Sequence, residues 1–169
     1  LFHGNLHTTA WYSKAFVTPT VASQKRFYLF FEGVGSYATV WLNGVNVGSH
    51  AGGRTTFTLD VSQAIRKDKK ENILVVKAEH PLNIRDLPWV DGGSSTERGF
   101  SEGSQPLGIF RPVSLIIKSA INIAPFGTHY WNDTNISKEK AIIKQTVELV
   151  NSTNATENIT VRTRVLDLQ

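Results

Sequence analysis

Residues 37–47 read YATVWLNGVNV, two β-rich runs flanking Asn43-Gly44. Aromatic and β-branched side chains such as Tyr37, Thr39, Val40 and Trp41 suit a pleated, half-buried surface. Asn-Gly between such runs is the strongest short-range hairpin signal, because a type I′ turn requires positive φ at both central residues. Tyr37–Leu42 and Val45–Val47 are therefore expected to pair. Working outward, the same period of two recurs. Ala10–Val17 (AWYSKAFV) reads as a strand, and Arg26–Phe31 (RFYLFF) is apolar on both faces, as a central strand should be. Arg54–Leu59 alternates, Ile73–Ala78 (ILVVKA) reads as another buried strand, and Ile109–Lys118 (IFRPVSLIIK) closes the set. The one helical signal is a turn near Ser62–Arg66, preceded by Asp60 as a possible cap. Many short strands joined by Gly-rich turns imply an all-β architecture, a β-sandwich or jelly roll, over the first ~118 residues.

The chain has 169 residues, 40% of them hydrophobic and 19% charged. That balance is ordinary for a globular protein and excludes a disordered chain, a coiled coil or a collagen-like fibre. No apolar run approaches the ~20 residues of a membrane-spanning helix. The first ten residues, LFHGNLHTTA, carry no signal-peptide pattern. There is no Met, not even at position 1, so the chain is expected to be a piece of something longer. The net charge of +4 is scattered, with its densest cluster, Arg66 to Lys70, broken by Asp68. Nucleic-acid binding needs a basic stripe with interleaved aromatics, and a solvated turn describes this cluster better. Cysteine is absent, which removes disulfides, thiolate nucleophiles and Cys-ligated zinc.

One stretch breaks the strand pattern: His80–Gly108, HPLNIRDLPWVDGGSSTERGFSEGSQPLG. Loops beyond ~15 residues are uncommon in compact domains and tend to be functional or disordered. Trp89 and Phe100 would anchor this one, and it holds Arg85, Asp86, Asp91, Glu97, Arg98 and Glu102. Apolar anchors with polar groups on a Gly-rich loop suit a binding or active-site loop. A passive surface loop pinned by its aromatics fits the composition equally well. After Ala120 the texture changes: Asn and Thr rise, and Ile121–Trp131, Ala141–Val150 and Asn158–Val165 read as three longer strands. Roughly fifty residues are half of a ~100-residue immunoglobulin-like sandwich. N-x-S/T sequons begin at Asn132, Asn135, Asn151, Asn154 and Asn158. They would be glycan acceptors in a secreted eukaryotic protein, but Asn/Thr-rich strand edges also create sequons by chance.

Catalytic chemistry is not readable from spacing. A retaining glycosidase needs two carboxylates about 5 Å apart, and no such pair can be nominated; Glu97 and Glu102 share a loop, but nothing fixes their separation. There is no G-x-S-x-G elbow. His3, His7, His50, His80 and His129 show no metal-ligand spacing, so a metal site is not expected. His50, in SHAGG beside a turn, reads as a hydrogen-bonded structural histidine.

Several of these segments together resemble glycoside hydrolase family two. AWYSKAF at 10–16 resembles its W-Y-x-K-x-F strand, and FEGV at 31–34 followed by ATVWLNG at 38–44 resembles its F-x-G-V…A-x-V-W-L-N-G hairpin. VGSH at 47–50 with Gly52-Gly53 and Phe57 resembles its V-G-x-H-x-G-G…F segment, NILVV at 72–76 its N-x-L-x-V strand, and GIFRPV at 108–113 its G-I-[FWH]-R-x-V signature. The resemblance covers roughly residues 10–118. It implies that 1–119 are a jelly-roll sugar-binding domain and that 120–169 are the first strands of an immunoglobulin-like sandwich. It also implies a downstream TIM barrel, carrying both catalytic glutamates, beyond Gln169. The family's acid/base Glu follows an Asn, and no Asn-Glu pair occurs here. The implied parent is a β-galactosidase-like retaining hydrolase acting on carbohydrate without metal or organic cofactor, while these residues alone should be inactive. In the family, an Asp six positions before the Gly of G-I-[FH]-R contacts the sugar; the matching residue here is Glu102, one methylene longer. Trp89 could stack on a sugar face or simply pin the loop. Arg111 is expected as a structural ion-pair donor, and Trp11, Trp41 and Phe110 as core. Nucleic acid and membrane are not expected partners; periplasmic or secreted location follows from the substrate class. A free-standing carbohydrate-binding module is the alternative, and a ligand-free adhesion array a third, since fold alone does not fix function.

Overall fold

The computed structural model describes residues 8–21, 24–67, 69–80 and 107–166. The chain divides into two compact units, Leu1–Ser119 and Ala120–Gln169. The described residues of both are all-β. In the first unit the strands are β1 (Thr9–Val17), β2 (Lys25–Phe31), β3 (Val34–Gly35), β4 (Tyr37–Leu42), β5 (Val45–Ala51), β6 (Phe57–Asp60), β7 (Glu71–Glu79), β8 (Gly108–Ile109) and β9 (Val113–Ser119). One sheet has the order β1-β7-β4-β5 and a second β6-β2-β9, with β3 and β8 forming a short pair. All of these pairings are antiparallel.

Alternation explains the layering. In β4, Ala38, Val40 and Leu42 point inward; in β7, Leu74, Val76 and Ala78 do. The register sets Ala38 opposite Ala78, Val40 opposite Val76 and Leu42 opposite Leu74. The strands of one pleated face thus bury one row each. From the other sheet, Phe27, Leu29 and Phe31 of β2 and Phe57 of β6 meet them in a single core. β2 is the middle strand of its sheet, which is why RFYLFF is apolar on both sides. An apolar groove of about 430 Å³ opens between the edges of the two sheets, lined by Tyr12 and Phe16 of β1, Leu74 and Val76 of β7, and Val113 and Leu115 of β9.

The hairpin forms as expected, with Asn43 at φ 53° and Gly44 at φ 83°. Asn43 does more than turn the chain. Its Nδ2 donates to Ala64 O (2.8 Å) and Asn72 Oδ1 (2.8 Å), and its Oδ1 accepts from Ile73 N (3.0 Å). Asn72 is fully buried; its Oδ1 also accepts from Arg66 N (2.7 Å), while its Nδ2 donates to Arg66 O (2.8 Å) and Lys70 O (3.1 Å). Thr18 Oγ1 donates to the same Arg66 carbonyl at 2.8 Å. A buried amide is tolerable only when its polar capacity is used, and here it is.

The expected helical signal at 62–66 is a single turn: Ala64 N and Ile65 N both donate to Val61 O, at 3.0 and 2.9 Å. Asp60 caps it, Oδ1 accepting from Ser62 N at 2.9 Å, and its other oxygen pairs with Arg26. Burial works to raise the Asp60 carboxyl, but hydrogen bonds from Ser62 and Arg26 and the guanidinium charge outweigh it, leaving the group below its ordinary value.

Three expectations need correction. Ile109–Lys118 is two strands rather than one, because Pro112 lacks the N–H that a continuous ladder needs. Arg54–Thr56 does not join β6: Thr55 N and Oγ1 instead fold back onto Gly52 O. In the second unit, β10 (Ile121–Asn132) and β11 (Ile143–Asn151) pair antiparallel with an irregularity between Ile123 and Thr128. The third strand expected there, Asn158–Val165, is not a strand; among the described residues its contact with β11 is made by side chains, Thr163 Oγ1 to Gln145 Oε1 at 2.5 Å, not by a backbone ladder.

Three outcomes follow for stability. Asn72→Ala strands several buried partners at once and should cost about 2–4 kcal/mol in urea unfolding, with an unchanged m-value. Gly44→Ala adds a Cβ that meets nothing within 4 Å, so its cost is purely that of positive φ, about 1 kcal/mol. The Asp60 contribution is present above the unfolded carboxyl value and lost as pH falls through the lower folded one. Between pH 7 and pH 3 the urea midpoint of the wild type should therefore fall further than that of Asp60→Asn.

Candidate functional site

β7 ends at Glu79, and the described residues resume at Leu107 just before β8. The chain on both sides of residues 81–106 is held by two adjacent residues, Ser36 at Glu79 and Gly35 at Gly108. Ser36 N donates to Glu79 O at 2.9 Å, and Gly35 pairs with Gly108 across the β3–β8 ladder. Ser36 Oγ meets His80 Nδ1 at 3.1 Å, with the serine 2% and the histidine 2% exposed. The Ser36 carbonyl accepts from Gly52 N at 3.0 Å, and His80 N donates to Thr8 O at 2.9 Å. One serine thus ties two sequence-distant segments, Glu79-His80 and Gly52, to its own strand through its N–H, its carbonyl and its hydroxyl. Bonds of this kind, out of contact with water, are costly to break because each orphaned partner is left desolvated. Gly108 is obligatory: its φ is +91°, and a Cβ there would collide with the Tyr12 hydroxyl.

His50 is the structural histidine that its context suggests. Its Nε2 lies 2.7 Å from Thr55 Oγ1, and its ring stacks on Phe57 at 4.3 Å. Phe57 stacks in turn on Phe31 at 4.6 Å, so the imidazole caps an aromatic column of the core. Among the described residues there is no group of three His, Asp or Glu side chains able to hold a metal ion. What the arrangement provides is a hydrogen-bonded base that holds the chain at Glu79-His80 and at Gly108.

The sequence-derived sugar contacts, Glu102 and Trp89, both lie outside the described residues. Three core expectations are revised. Trp11 is 62% exposed, on the outward face of the first sheet, and Trp41, partly buried, stacks against it at 5.6 Å. Phe110 is partly buried and packs over Gly33, where a Cβ would come within 2.7 Å of its ring. Outward rows of β1 and β4 carry these indoles because both strands keep strict alternation, with Tyr12 and Val40 taking the inward positions. Among the described residues Arg111 has no carboxylate partner, and its guanidinium lies over the Phe110 ring, 5.6 Å from the centroid. Sequence reasoning missed Ser36 and the role of His80. The available signal was Gly-x-Gly-Ser at 33–36 between two strands, an unusual density of small residues where backbones approach closely.

The model of the family described as "Glycosyl hydrolases family 2, sugar binding domain" matches residues 2–119. Beta-galactosidase BoGH2A of Bacteroides ovatus is 28% identical over 162 residues, covering 94% of this chain and 17% of that protein. A beta-glucuronidase of Formosa agariphila is 28% identical over 164 residues, 94% of this chain and 16% of its own length. Among solved structures, a putative beta-galactosidase from Bacteroides fragilis superimposes with a TM-score of 0.73 at 30% identity, over 88% of this chain and 21% of that one. The chain therefore spans about a sixth of the length of the curated relatives it matches. The five quoted motifs, the sandwich that carries them and the family match over residues 2–119 agree, and the chain belongs to glycosyl hydrolase family 2 through its sugar-binding domain.

Proposed function

We propose that this chain is the N-terminal, non-catalytic portion of a retaining glycoside hydrolase, and that it shapes an active site housed in a downstream barrel. The observation that carries this reading is the asymmetric coverage: relatives named as β-galactosidases and β-glucuronidases contain nearly all of this chain, yet it is a sixth of them. In that parent, one barrel glutamate attacks the anomeric carbon and a second protonates the departing oxygen; water then hydrolyses the glycosyl-enzyme. No metal or organic cofactor enters that chemistry. Residues 120–169 are read as the opening of an immunoglobulin-like sandwich, and the parent as periplasmic or secreted.

The part played by these residues is positioning. In this reading Glu102, six positions before Gly108, serves the sugar pocket, where a carboxylate accepts hydrogen bonds from vicinal hydroxyls. Such charge-assisted bonds are worth more than neutral ones and are strengthened where water is excluded.

Sequencing the coding region past Gln169 tests the reading: a completed sandwich followed by alternating β and α segments with an Asn-Glu at a strand end is the expected result, and an early stop overturns it. In the parent enzyme, Glu102→Gln should lower kcat/KM by about 10- to 100-fold; an unchanged value removes Glu102 from the pocket. Ser36→Ala removes the buried hydrogen bond between Ser36 Oγ and His80 Nδ1 and should reduce kcat/KM as well, with a stability loss of about 1–3 kcal/mol.

A further inference from the structure

The five N-x-S/T sequons are not spread along the chain. All lie in the second unit, and none begins in residues 1–119. Residues 120–169 hold six asparagines and nine Ser or Thr, so composition alone puts a hydroxyl residue two positions after about one of the six. Five of the six have it: Asn132, Asn135, Asn151, Asn154 and Asn158, and proline occupies none of the intervening positions.

The fold sorts the asparagines in the same way. All five sequon asparagines are exposed, and the sixth, Asn122, is half-buried. Asn132 faces Ile143 where β10 ends, with Asn135 in the connection beyond it. Asn151 faces Ile121 at the other end of the hairpin, and Asn154 and Asn158 follow it. The strand positions between those ends carry no sequon. A bulky, hydrated substituent fits such surface connections and not a paired or packed strand. In the Asn151 sequon the hydroxyl already meets its asparagine: Thr153 Oγ1 and N donate to Asn151 Oδ1 at 2.6 and 2.9 Å. Asn151 Nδ2 donates to Ala155 O at 2.9 Å, which uses one of its two hydrogens and leaves the other for substitution.

Apolar surface beside these asparagines is a second, independent observation. Tyr130 precedes Asn132 by two positions in β10, hence on the same face, and is 60% exposed. Ile136 and Ile159, inside the sequons of Asn135 and Asn158, are 56% and 44% exposed. The C–H face of a pyranose attached to the neighbouring amide would cover these side chains and remove apolar area from water.

We infer that the second unit is N-glycosylated, with an oligosaccharide at each end of the β10–β11 hairpin. The donor class is an oligosaccharide carried on a polyprenyl diphosphate. Asn Nδ2 attacks the anomeric carbon, the Nδ2–C1 bond forms and the C1–O bond to the diphosphate breaks. Polyprenyl diphosphate departs, and the amide gives up one proton to the transferase. The inference rests on the export included in the proposed function and is independent of which glycoside the parent hydrolyses.

The test takes the full-length protein purified from its native source. Its peptides are treated with peptide N-glycosidase in heavy-oxygen water, which converts each glycosylated Asn to a labelled Asp, and are mapped by mass spectrometry. The expected result is label in most copies at Asn132 or Asn135, and also at Asn151, Asn154 or Asn158. Unlabelled asparagine throughout, or label confined to one end of the hairpin, would overturn the inference. Equal label at Asn46 and Asn122, which open no sequon, would mark ordinary deamidation and overturn it too. Cell fractionation separates the two readings. An exported, unlabelled protein defeats the glycan alone, whereas a protein retained in the cytoplasm defeats the proposed export and the glycan with it.

Discussion

The pairing of Asn43 with Asn72 is the constraint on which the first unit turns. A single polar contact of 2.8 Å joins the β4–β5 turn to the first inward position of β7. Through Asn72 it reaches the backbone at Arg66 and Lys70, and through Asn43 the backbone at Ala64 and Ile73. The two strands it aligns are neighbours in the first sheet, so this contact sets which residue of β7 faces which residue of β4. A slip of one position would turn Leu74, Val76 and Ala78 outward and expose their partners. Hydrophobic burial supplies the driving force but tolerates approximate matches. The amide pair supplies the register, because a displaced asparagine would leave buried donors and acceptors without partners.

From that register follow both faces of the sheet. Its inner rows complete the core against Phe27, Leu29 and Phe31. Its outer rows present the stacked indoles. At the end of β7, the same alignment brings Glu79 and His80 to Ser36, where the loop is rooted. Core, outer surface and loop base are thus consequences of one alignment rather than three separate features.

Much of the strand layout was legible in the sequence because period-two alternation and the Asn-Gly turn act locally. Tyr37–Leu42 coincides with its expected limits, and the central place of β2 followed from apolar residues on both faces. The break at Pro112 was legible in principle, since proline cannot donate to a ladder. What alternation does not reveal is which parity faces the core when both carry apolar residues. In AWYSKAFV, Trp11 and Tyr12 are equally plausible inward residues, and the choice depends on pairing with β7, which is distant in sequence. The same holds for Ser36. Its importance comes from three partners, at Glu79, His80 and Gly52, that only the folded chain assembles. Motif resemblance pointed to residues 80–108, and the hydrogen bonds described at the two ends of that stretch are non-local.

Holding Glu79 and Gly108 on the adjacent Gly35 and Ser36 has an evolutionary consequence. The entropy of closing a loop grows only with the logarithm of its length, so a doubling costs about 0.6 kcal/mol once the ends are fixed. Because Gly35 and Ser36 hold the chain at Glu79 and Gly108, a change in the number of residues between those two points adds little to the entropy cost of bringing them together. Length and composition can then vary there while the described strands stay constant.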